Sequence, residues 1–181
     1  MNYDNLIPLG ENFLVRRTDI TDQTSGGIYL PDQAKLRAPE GFIAGFGKGK
    51  APFTDETWKF GLEIGDHVML TQFGGADLGD YAIIPSNAVL GLFHGTSLYP
   101  LGKNMLVRMD PRKEVEGSIV LPDFSKTTEV WGTVQRIGED CTKVHRDDRV
   151  YILPTQGTHY REKGADYIII HQEKVTLTET R

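Results

Sequence analysis

Two apolar triplets, each reached through glycine-containing polar residues and each followed by Pro-Asp, are the residues of this sequence best suited to binding a partner. The first is Ile28-Tyr29-Leu30, which follows Gly26 and Gly27, and the second is Ile119-Val120-Leu121, which follows Gly117-Ser118. The polar residues before the first triplet carry too little apolar surface to offset the entropy of ordering them, and glycine adds backbone freedom. An isolated triplet of this kind is more typical of a loop entering a buried strand. Its repetition favours a mobile tether that presents an apolar hook.

Other residues with chemical potential are scattered and form no recognisable catalytic or metal site. The run Gly45-Phe46-Gly47-Lys48-Gly49-Lys50 has the glycines of a phosphate-binding loop, but it lacks the final Lys-Ser/Thr and a following helix. Cys141 and His145 are two potential metal ligands, whereas a structural zinc site requires four. The remaining histidines stand in no nucleophile or base motif. The sequence therefore predicts neither an enzyme nor a metal or cofactor site.

Composition and charge are those of an ordinary globular protein. Of the 181 residues, 39 % are hydrophobic and 25 % charged, and no apolar run approaches the roughly 18 residues of a membrane span. The net charge of −5 gives no general attraction to nucleic acid or to anionic membranes. The short basic runs, Arg16-Arg17 and Arg146 with Arg149, are interpreted as surface pairs. Because Cys141 is the only cysteine and the first residues do not resemble a secretion signal, we expect a cytoplasmic protein.

The second half of the chain repeats the first, and this repeat determines the expected architecture. The matched segments, first copy before second, are 8–10 with 100–102, 14–16 with 106–108, 28–32 with 119–123, 41–43 with 132–134, 47 with 138, 66–70 with 148–152, and 80–84 with 166–170. Order and approximate spacing are preserved throughout. The sequence therefore indicates a tandem duplication.

Each copy is predicted to contain several short β-strands and no substantial helix. The segments 12–17, 41–46, 67–71 and 81–84 are rich in β-branched or aromatic residues and are bounded by Gly, Pro or Asp. Several short strands within fewer than 100 residues favour a small, closed or half-closed β-barrel. We expect an all-β protein with two tandem barrels, residues 1–94 and 95–181, joined at the small polar junction His94-Gly95-Thr96-Ser97.

The two copies differ most in the connection that follows the matched glycines Gly47 and Gly138. In the first copy this connection, Lys48–Gly65, has room for a projecting hairpin, whereas in the second, Glu139–Asp147, it is about half as long and has room only for a turn. The residues expected to mark the hairpin are Lys48, Gly49, Lys50 and Trp58.

The ordered set of motifs resembles the GroES-type co-chaperonin family in a tandem form. Residues 8–16, 25–31, 41–47, 65–68 and 81–84 carry the resemblance, which covers about 6–93 in full order and 98–177 more loosely. The resemblance implies a β-barrel that forms a seven-fold dome and caps a GroEL-type chaperonin ring. It also implies that a mobile loop ending in the apolar triplet docks between apical-domain helices of the chaperonin, and that residues 48–64 form the dome roof.

Several departures from the family pattern affect these expectations. Tyr29 is bulkier than the usual middle residue of the triplet, and the second copy has Gly117-Ser118 where the family has two glycines and lacks the roof segment. Tandem relatives of this family occur in chloroplasts, and viral relatives with modified roofs are also known. If the chain is encoded by a virus, we expect it to act in the cytoplasm of the host. We expect a homo-oligomeric ring, with seven chains favoured because the complete first domain can build the ring alone.

The alternative left open is a duplicated barrel that forms oligomers as a scaffold and no longer binds a chaperonin. A GroES-like barrel also occurs in medium-chain alcohol dehydrogenases, but those require a nucleotide-binding domain for which no sequence remains here. Any ATP hydrolysis is therefore expected from the partner, since this chain shows no nucleotide-binding motif.

Overall fold

The computed structural model describes residues 6–18, 39–47, 61–71, 74–111, 115–116, 119–120, 130–153 and 156–179, with the backbone alone for 115–116 and 119–120. The chain divides into two compact units, residues 1–94 (unit 1) and residues 95–181 (unit 2). All regular elements in the described residues are β-strands or short 3-10 turns, so the predicted all-β class is confirmed. Among these residues, no helix has the length and apolar character needed to cross a membrane.

Unit 1 is an antiparallel sheet whose strands follow one another in space in the order β4-β5-β1-β2-β3-β6. Apolar residues from four of these strands, Val15, Ile43, Val68 and Ile84, are almost completely buried and form its core. The strands are β1 (Asn12–Arg17), β2 (Glu40–Phe46), β3 (His67–Leu70), β4 (Ala76–Leu78), β5 (Tyr81–Pro85) and β6 (Val89–His94).

Unit 2 contains a second antiparallel sheet and a separate two-stranded ladder. The strands are β7 (Ser97–Pro100), β8 (Asn104–Met109), β9 (Val115–Glu116), β10 (Ile119–Val120), β11 (Val130–Ile137), β12 (Arg149–Ile152), β13 (Thr158–Glu162), β14 (Ala165–His171) and β15 (Leu177–Glu179). The main sheet has the order β13-β14-β8-β11-β12-β15, β7 packs on β8 and β11, and β9 pairs with β10. Its core consists of buried aliphatic side chains, including Met105, Val107, Val134, Val150 and Ile168.

The strand orders show that the two units have the same topology, as expected of a duplication. Both units also carry a bulge at the same place, where β2 passes β1 with the extra residue Ala44 and β11 passes β8 with the extra residue Gln135. A bulge inserts one residue into one strand and increases its local twist. Neither sheet is closed into a complete barrel by a strand pair among the described residues, so the structure shows two antiparallel sheets with the same strand order.

The two units also share a backbone hydrogen bond at the end of the bulged strand, made by the matched glycines Gly47 and Gly138. The amide of Gly47 donates to the carbonyl of Asn12 at 2.8 Å, and the amide of Gly138 donates to the carbonyl of Asn104 at 2.8 Å. A Cβ atom at either glycine would collide with a carbonyl oxygen of the turn before β1 or β8. The matched glycines in the sequence are therefore required by the close approach of two backbone segments.

The turn that enters β3 and β12 is also repeated. In unit 1 the amide of Glu63 donates to Oδ2 of Asp66 at 2.7 Å, and in unit 2 the amide of His145 donates to Oδ2 of Asp148 at 2.8 Å. In each case the carboxylate accepts a bond from the amide three residues earlier, a local pattern that stabilises a turn. The aspartate of each matched Asp-X-Val segment therefore shapes the turn into the strand.

Candidate functional site

Most residues predicted to bind a partner or to form a roof lie outside the described residues. Gly26, Gly27, Ile28, Tyr29 and Leu30 fall within residues 19–38, and the roof residues Lys48, Gly49, Lys50 and Trp58 fall within 48–60. Leu121 is likewise outside the described part, and only the backbone of Ile119 and Val120 is described. The structure therefore describes the frame from which these segments extend, and the roles of the residues themselves stay predictions.

In unit 1, the segment 19–38 connects two neighbouring antiparallel strands, β1 and β2. The amide and the hydroxyl of Thr18 both donate to the carbonyl of Glu40, each at 3.3 Å. These bonds join the residue before the segment to the start of the strand after it. The triplet Ile28-Tyr29-Leu30 therefore belongs to a long connection whose two ends are joined by hydrogen bonds where β1 ends and β2 begins, in the interior of the strand order.

Arg17 fixes the outgoing end of this connection. Its Nε lies 3.2 Å from Oδ1 of Asp77 on β4, and its Nη2 donates to the carbonyl of Gly74 at 3.1 Å. The arginine side chain is only 10 % exposed, so this pair is less screened by solvent than a typical surface pair. The sequence-based interpretation of Arg16-Arg17 as a surface pair did not identify this partner, because Asp77 is distant along the chain.

The incoming end of the same connection is supported by an aromatic stack. The ring of His67 lies between the rings of Phe42 and Phe93, at centroid distances of 4.6 and 4.3 Å. Nε2 of His67 is 3.1 Å from Oε2 of Glu40, the residue whose carbonyl receives both bonds from Thr18. The stack thus ties the end of the connection to β3 and β6.

In unit 2, one arginine contacts both ends of the equivalent connection, residues 112–129. Nη2 of Arg149 on β12 lies 2.6 Å from Oδ2 of Asp110, and its guanidinium lies 5.8 Å from the ring centroid of Trp131. The amide of Asp110 also donates to the carbonyl of Trp131 at 3.0 Å. Arg149 is the repeat counterpart of His67, so the same position in each unit supports the base of the long connection.

The second triplet begins in a short hairpin. The backbone of Ile119 pairs with that of Glu116, and the backbone of Val120 pairs with that of Val115. The first two residues of the second triplet therefore lie in a short antiparallel ladder within the long connection of unit 2.

The roof hairpin expected to be missing from unit 2 is indeed missing. Residues 138–148 are all described and form a compact turn without a strand, in which the amide of Val134 donates to the carbonyl of Asp148 at 3.0 Å. The amides of Thr142 and Lys143 both donate to Oε1 of Gln172, at 2.9 and 3.1 Å. This region of unit 2 therefore has no projecting segment.

Cys141 and His145 both lie in this turn but do not form a metal centre. Sγ of Cys141 donates to the carbonyl of Asn104 at 3.2 Å, and burial raises the pKa of the thiol, with a further rise from Glu139 and Asp140. A thiol held in its protonated form is a poor metal ligand and a poor nucleophile. Across the described ranges, no group of three or more His, Cys, Asp or Glu side chains is placed to hold a metal ion.

A half-open cleft of about 470 Å³ lies beside the base of the connection in unit 2. Its volume falls within the range of pockets that accept small molecules. It is lined by Met109, Asp110, Pro111, Val130, His159, Tyr160, Arg161, Asp166 and Tyr167. In unit 1, the strand position equivalent to Met109 is Arg17, which is paired with Asp77.

Comparison with known proteins identifies the family of both units. The Cpn10 family, described as "Chaperonin 10 Kd subunit", matches residues 5–93 and again residues 97–178. Together these matches cover nearly the whole chain, one in each unit. The recognition of two tandem GroES-type copies in the sequence is thereby confirmed.

Individual relatives agree with this assignment. The co-chaperonin GroES of Desulforapulum autotrophicum is 33 % identical over 92 residues, which is 49 % of this chain and 97 % of the relative. The co-chaperonin GroES of Desulfotalea psychrophila is 33 % identical over 89 residues, which is 47 % of this chain and 94 % of the relative. The chloroplastic 20 kDa chaperonin of Spinacia oleracea is 23 % identical over 144 residues, which is 75 % of this chain and 56 % of the relative. The chain belongs to the chaperonin 10 kDa subunit family, and it carries two copies of that domain.

Proposed function

We propose that this protein is a co-chaperonin that caps a GroEL-type chaperonin ring and assists ATP-dependent protein folding. Its contacts are the apolar triplets Ile28-Tyr29-Leu30 and Ile119-Val120-Leu121. The observation that carries the proposal is the position of the two triplets. Each lies in the long connection between equivalent neighbouring strands, β1 and β2 or β8 and β11, in a chain that matches the family twice. Both connections start from a base secured by side chains.

The energetics of such a contact suit a cap that must be released. Burying one aliphatic side chain contributes about 1.5–3 kcal/mol, whereas ordering a flexible backbone costs about 1–2 kcal/mol per residue. A single triplet therefore binds weakly. Several triplets on one oligomer make later contacts intramolecular, which raises the overall affinity steeply. When the binding sites on the chaperonin move, the triplets dissociate together and the cap is released.

The roof function falls to unit 1 alone in this proposal. Residues Lys48, Gly49, Lys50 and Trp58 lie in the longer connection of unit 1, which precedes the turn at Asp66. The corresponding connection of unit 2 is the compact turn before Asp148. We therefore assign dome closure to unit 1 and only binding or spacing to unit 2.

The assembly we propose is a ring of seven chains with one complete unit 1 at each position. Two units per chain do not divide evenly into a seven-membered ring, so unit 2 occupies a second layer or lies outside the ring. The chain itself carries out no catalytic step in this scheme, since ATP is hydrolysed by the chaperonin. We place the protein in the cytoplasm, which suits a chain whose single cysteine, Cys141, is a free thiol.

The decisive experiment is a chaperonin pull-down with ATP present, comparing wild type with Leu30→Ser. We expect the variant to lose most or all capture, since it removes an apolar contact of every first triplet in the oligomer. Leu9→Ser is the matched control, because Leu9 is an exposed apolar residue of unit 1 that lies outside both the triplet and the roof segment. Wild-type capture by Leu30→Ser would refute the assignment of the triplet.

A second measurement separates the co-chaperonin from the scaffold alternative. A co-chaperonin changes the ATPase rate of the chaperonin and protects encapsulated substrate, whereas a scaffold forms oligomers and does neither. Native mass spectrometry of the same sample gives the number of chains, and a population of trimers or tetramers alone would overturn the seven-chain ring.

A further inference from the structure

The first strand of unit 2 is held by side chains that have no equivalent in unit 1. Residues 96–99 lie where the chain enters unit 2, and each of the four makes a contact with β11 or β13. The hydroxyl of Tyr160 donates to the carbonyl of Thr96 at 2.6 Å, and the hydroxyl of Ser97 donates to Oε1 of Glu162 at 3.3 Å.

Arg136 completes this set of contacts from β11. Its Nη1 donates to the carbonyl of Leu98 at 3.0 Å, and its guanidinium lies 4.9 Å from the ring centroid of Tyr99. The same Nη1 is 4.0 Å from Oε2 of Glu162, whose side chain is only 9 % exposed. A carboxylate removed from water needs such partners, so Glu162 and Arg136 stabilise each other while they hold the strand.

The duplication provides an internal comparison, because unit 1 lacks every member of this set. The residue of β2 that occupies the register of Arg136 is Gly45, since Gly45 pairs with Leu14 as Arg136 pairs with Leu106. Leu78 occupies the position of Tyr160. Leu78 pairs with Tyr81 as Tyr160 pairs with Tyr167, and the two paired tyrosines, Tyr81 and Tyr167, are repeat counterparts.

The hairpin itself is longer in unit 2. The hairpin of unit 1 turns through Gly79-Asp80, whereas that of unit 2 continues through residues 161–166 and so includes Glu162. The added residues therefore bring a carboxylate to the entering chain.

The entering segments differ accordingly. Leu98 is completely buried within strand β7, whereas Leu6 and Ile7 of unit 1 are 42 % and 59 % exposed and lie in no strand. The same repeat position is therefore a secured strand in unit 2 and an irregular segment in unit 1. Sequence comparison of the two copies does not reveal this difference.

We propose that Tyr160, Glu162 and Arg136 form a clamp that fixes the course of residues 96–99. The segment at the junction is then a structured entry into unit 2 that these three side chains of the unit help to hold. This inference does not depend on the proposed function.

Hydrogen–deuterium exchange of the full-length protein tests the clamp through the variants Tyr160→Phe and Arg136→Gln. Each substitution removes one hydrogen bond to a backbone carbonyl of the segment. The loss of one such bond corresponds to about 2- to 10-fold faster exchange of the nearby backbone amide hydrogens. We expect the increase in peptides covering 95–100 and not in β8 or β14.

Tyr167→Phe is the matched control, because Tyr167 lies opposite Tyr160 in the same hairpin and its ring centroid is 6.2 Å away. This variant should leave exchange at 95–100 unchanged. Unchanged exchange in both clamp variants would overturn the proposal. So would an equal increase across β8 and β14, which would mark these contacts as general supports of the sheet, or an equal effect of Tyr167→Phe.

Discussion

Nη2 of Arg149 lies 2.6 Å from Oδ2 of Asp110, and this contact joins β12 to the residue two positions before the connection 112–129. Its repeat counterpart, His67, approaches Glu40, which follows the equivalent connection of unit 1. One position in each unit thus supports a connection that carries an apolar triplet. The supporting chemistry has diverged from a stacked imidazole to a permanently charged guanidinium.

We predict that Arg149→Ala lowers the free energy of unfolding of unit 2 by about 1 kcal/mol. Both partners are partly exposed, so the ion pair contributes little, and the cation–π contact with Trp131 adds a comparable amount. Urea denaturation at low and high salt measures the effect, and high salt should reduce it.

The control for this prediction is Arg161→Ala, which breaks an ion pair of 3.1 Å whose side chains are 72 % and 65 % exposed. We expect that change to stay within about 0.5 kcal/mol. Equal losses from the two variants would show that the contact with Trp131 contributes nothing.

Gly47→Ala should be strongly destabilising, by about 2 kcal/mol or more. A Cβ atom at Gly47 would collide with the carbonyl of Gly10 and would lie 3.0 Å from the carbonyl of Asn12, so the backbone itself must move. Gly45→Ala is the control in the same strand, because its Cβ would meet Leu14 and Pro8 at an ordinary 3.7 Å.

Thermal unfolding of the two glycine variants gives the comparison directly. The melting temperature should fall clearly for Gly47→Ala and change little for Gly45→Ala. A stable Gly47→Ala variant would mean that the close approach of these backbone segments is not maintained in solution.

The stability of unit 2 should decrease at mildly acidic pH because of His171. Burial lowers the pKa of His171 below its usual value of 6.5; Glu173 opposes this shift, and Lys103, Lys143 and Lys174 add to it. The unfolded chain then binds the proton more readily than the folded one. The free energy of unfolding is therefore unaffected above pH 6.5 and falls as the pH decreases below it toward the folded-state pKa.

The variant His171→Asn tests this dependence. Asparagine retains an acceptor for the amide of Glu173, which now bonds to Nδ1 of His171 at 3.2 Å, but it does not titrate. Urea denaturation at pH 7.5 and pH 5.5 should show a smaller loss for the variant than for wild type. An identical loss would assign the acid sensitivity to other groups.

Cys141 should react slowly with alkylating reagents while the protein is folded. Burial raises the pKa of its thiol, and Sγ donates to the carbonyl of Asn104, so the thiolate is scarce near neutral pH. Alkylation by iodoacetamide at pH 7.5, followed by mass spectrometry, should accelerate when urea unfolds the chain. Equal rates in the folded and unfolded states would contradict the burial of this thiol.

The sequence alone determined the all-β class, the tandem duplication and the family. These properties depend on patterns that are local along the chain, such as runs of β-branched residues and the matched glycines Gly47 and Gly138. It also predicted correctly that the connection after Gly138 is too short for a hairpin, since chain length by itself limits what a segment can form. The triplets were identified in the same way, and their role in binding stays a prediction.

Only the tertiary structure decided which side chains support these segments. The pairs of Arg17 with Asp77 and of Arg149 with Asp110, and the clamp on residues 96–99, join residues far apart in the chain. Such partners depend on the register between strands, and a shift of one residue would turn each side chain to the opposite face of the sheet. Local periodicity records whether a residue is buried, but its partner is determined only when the strands pair.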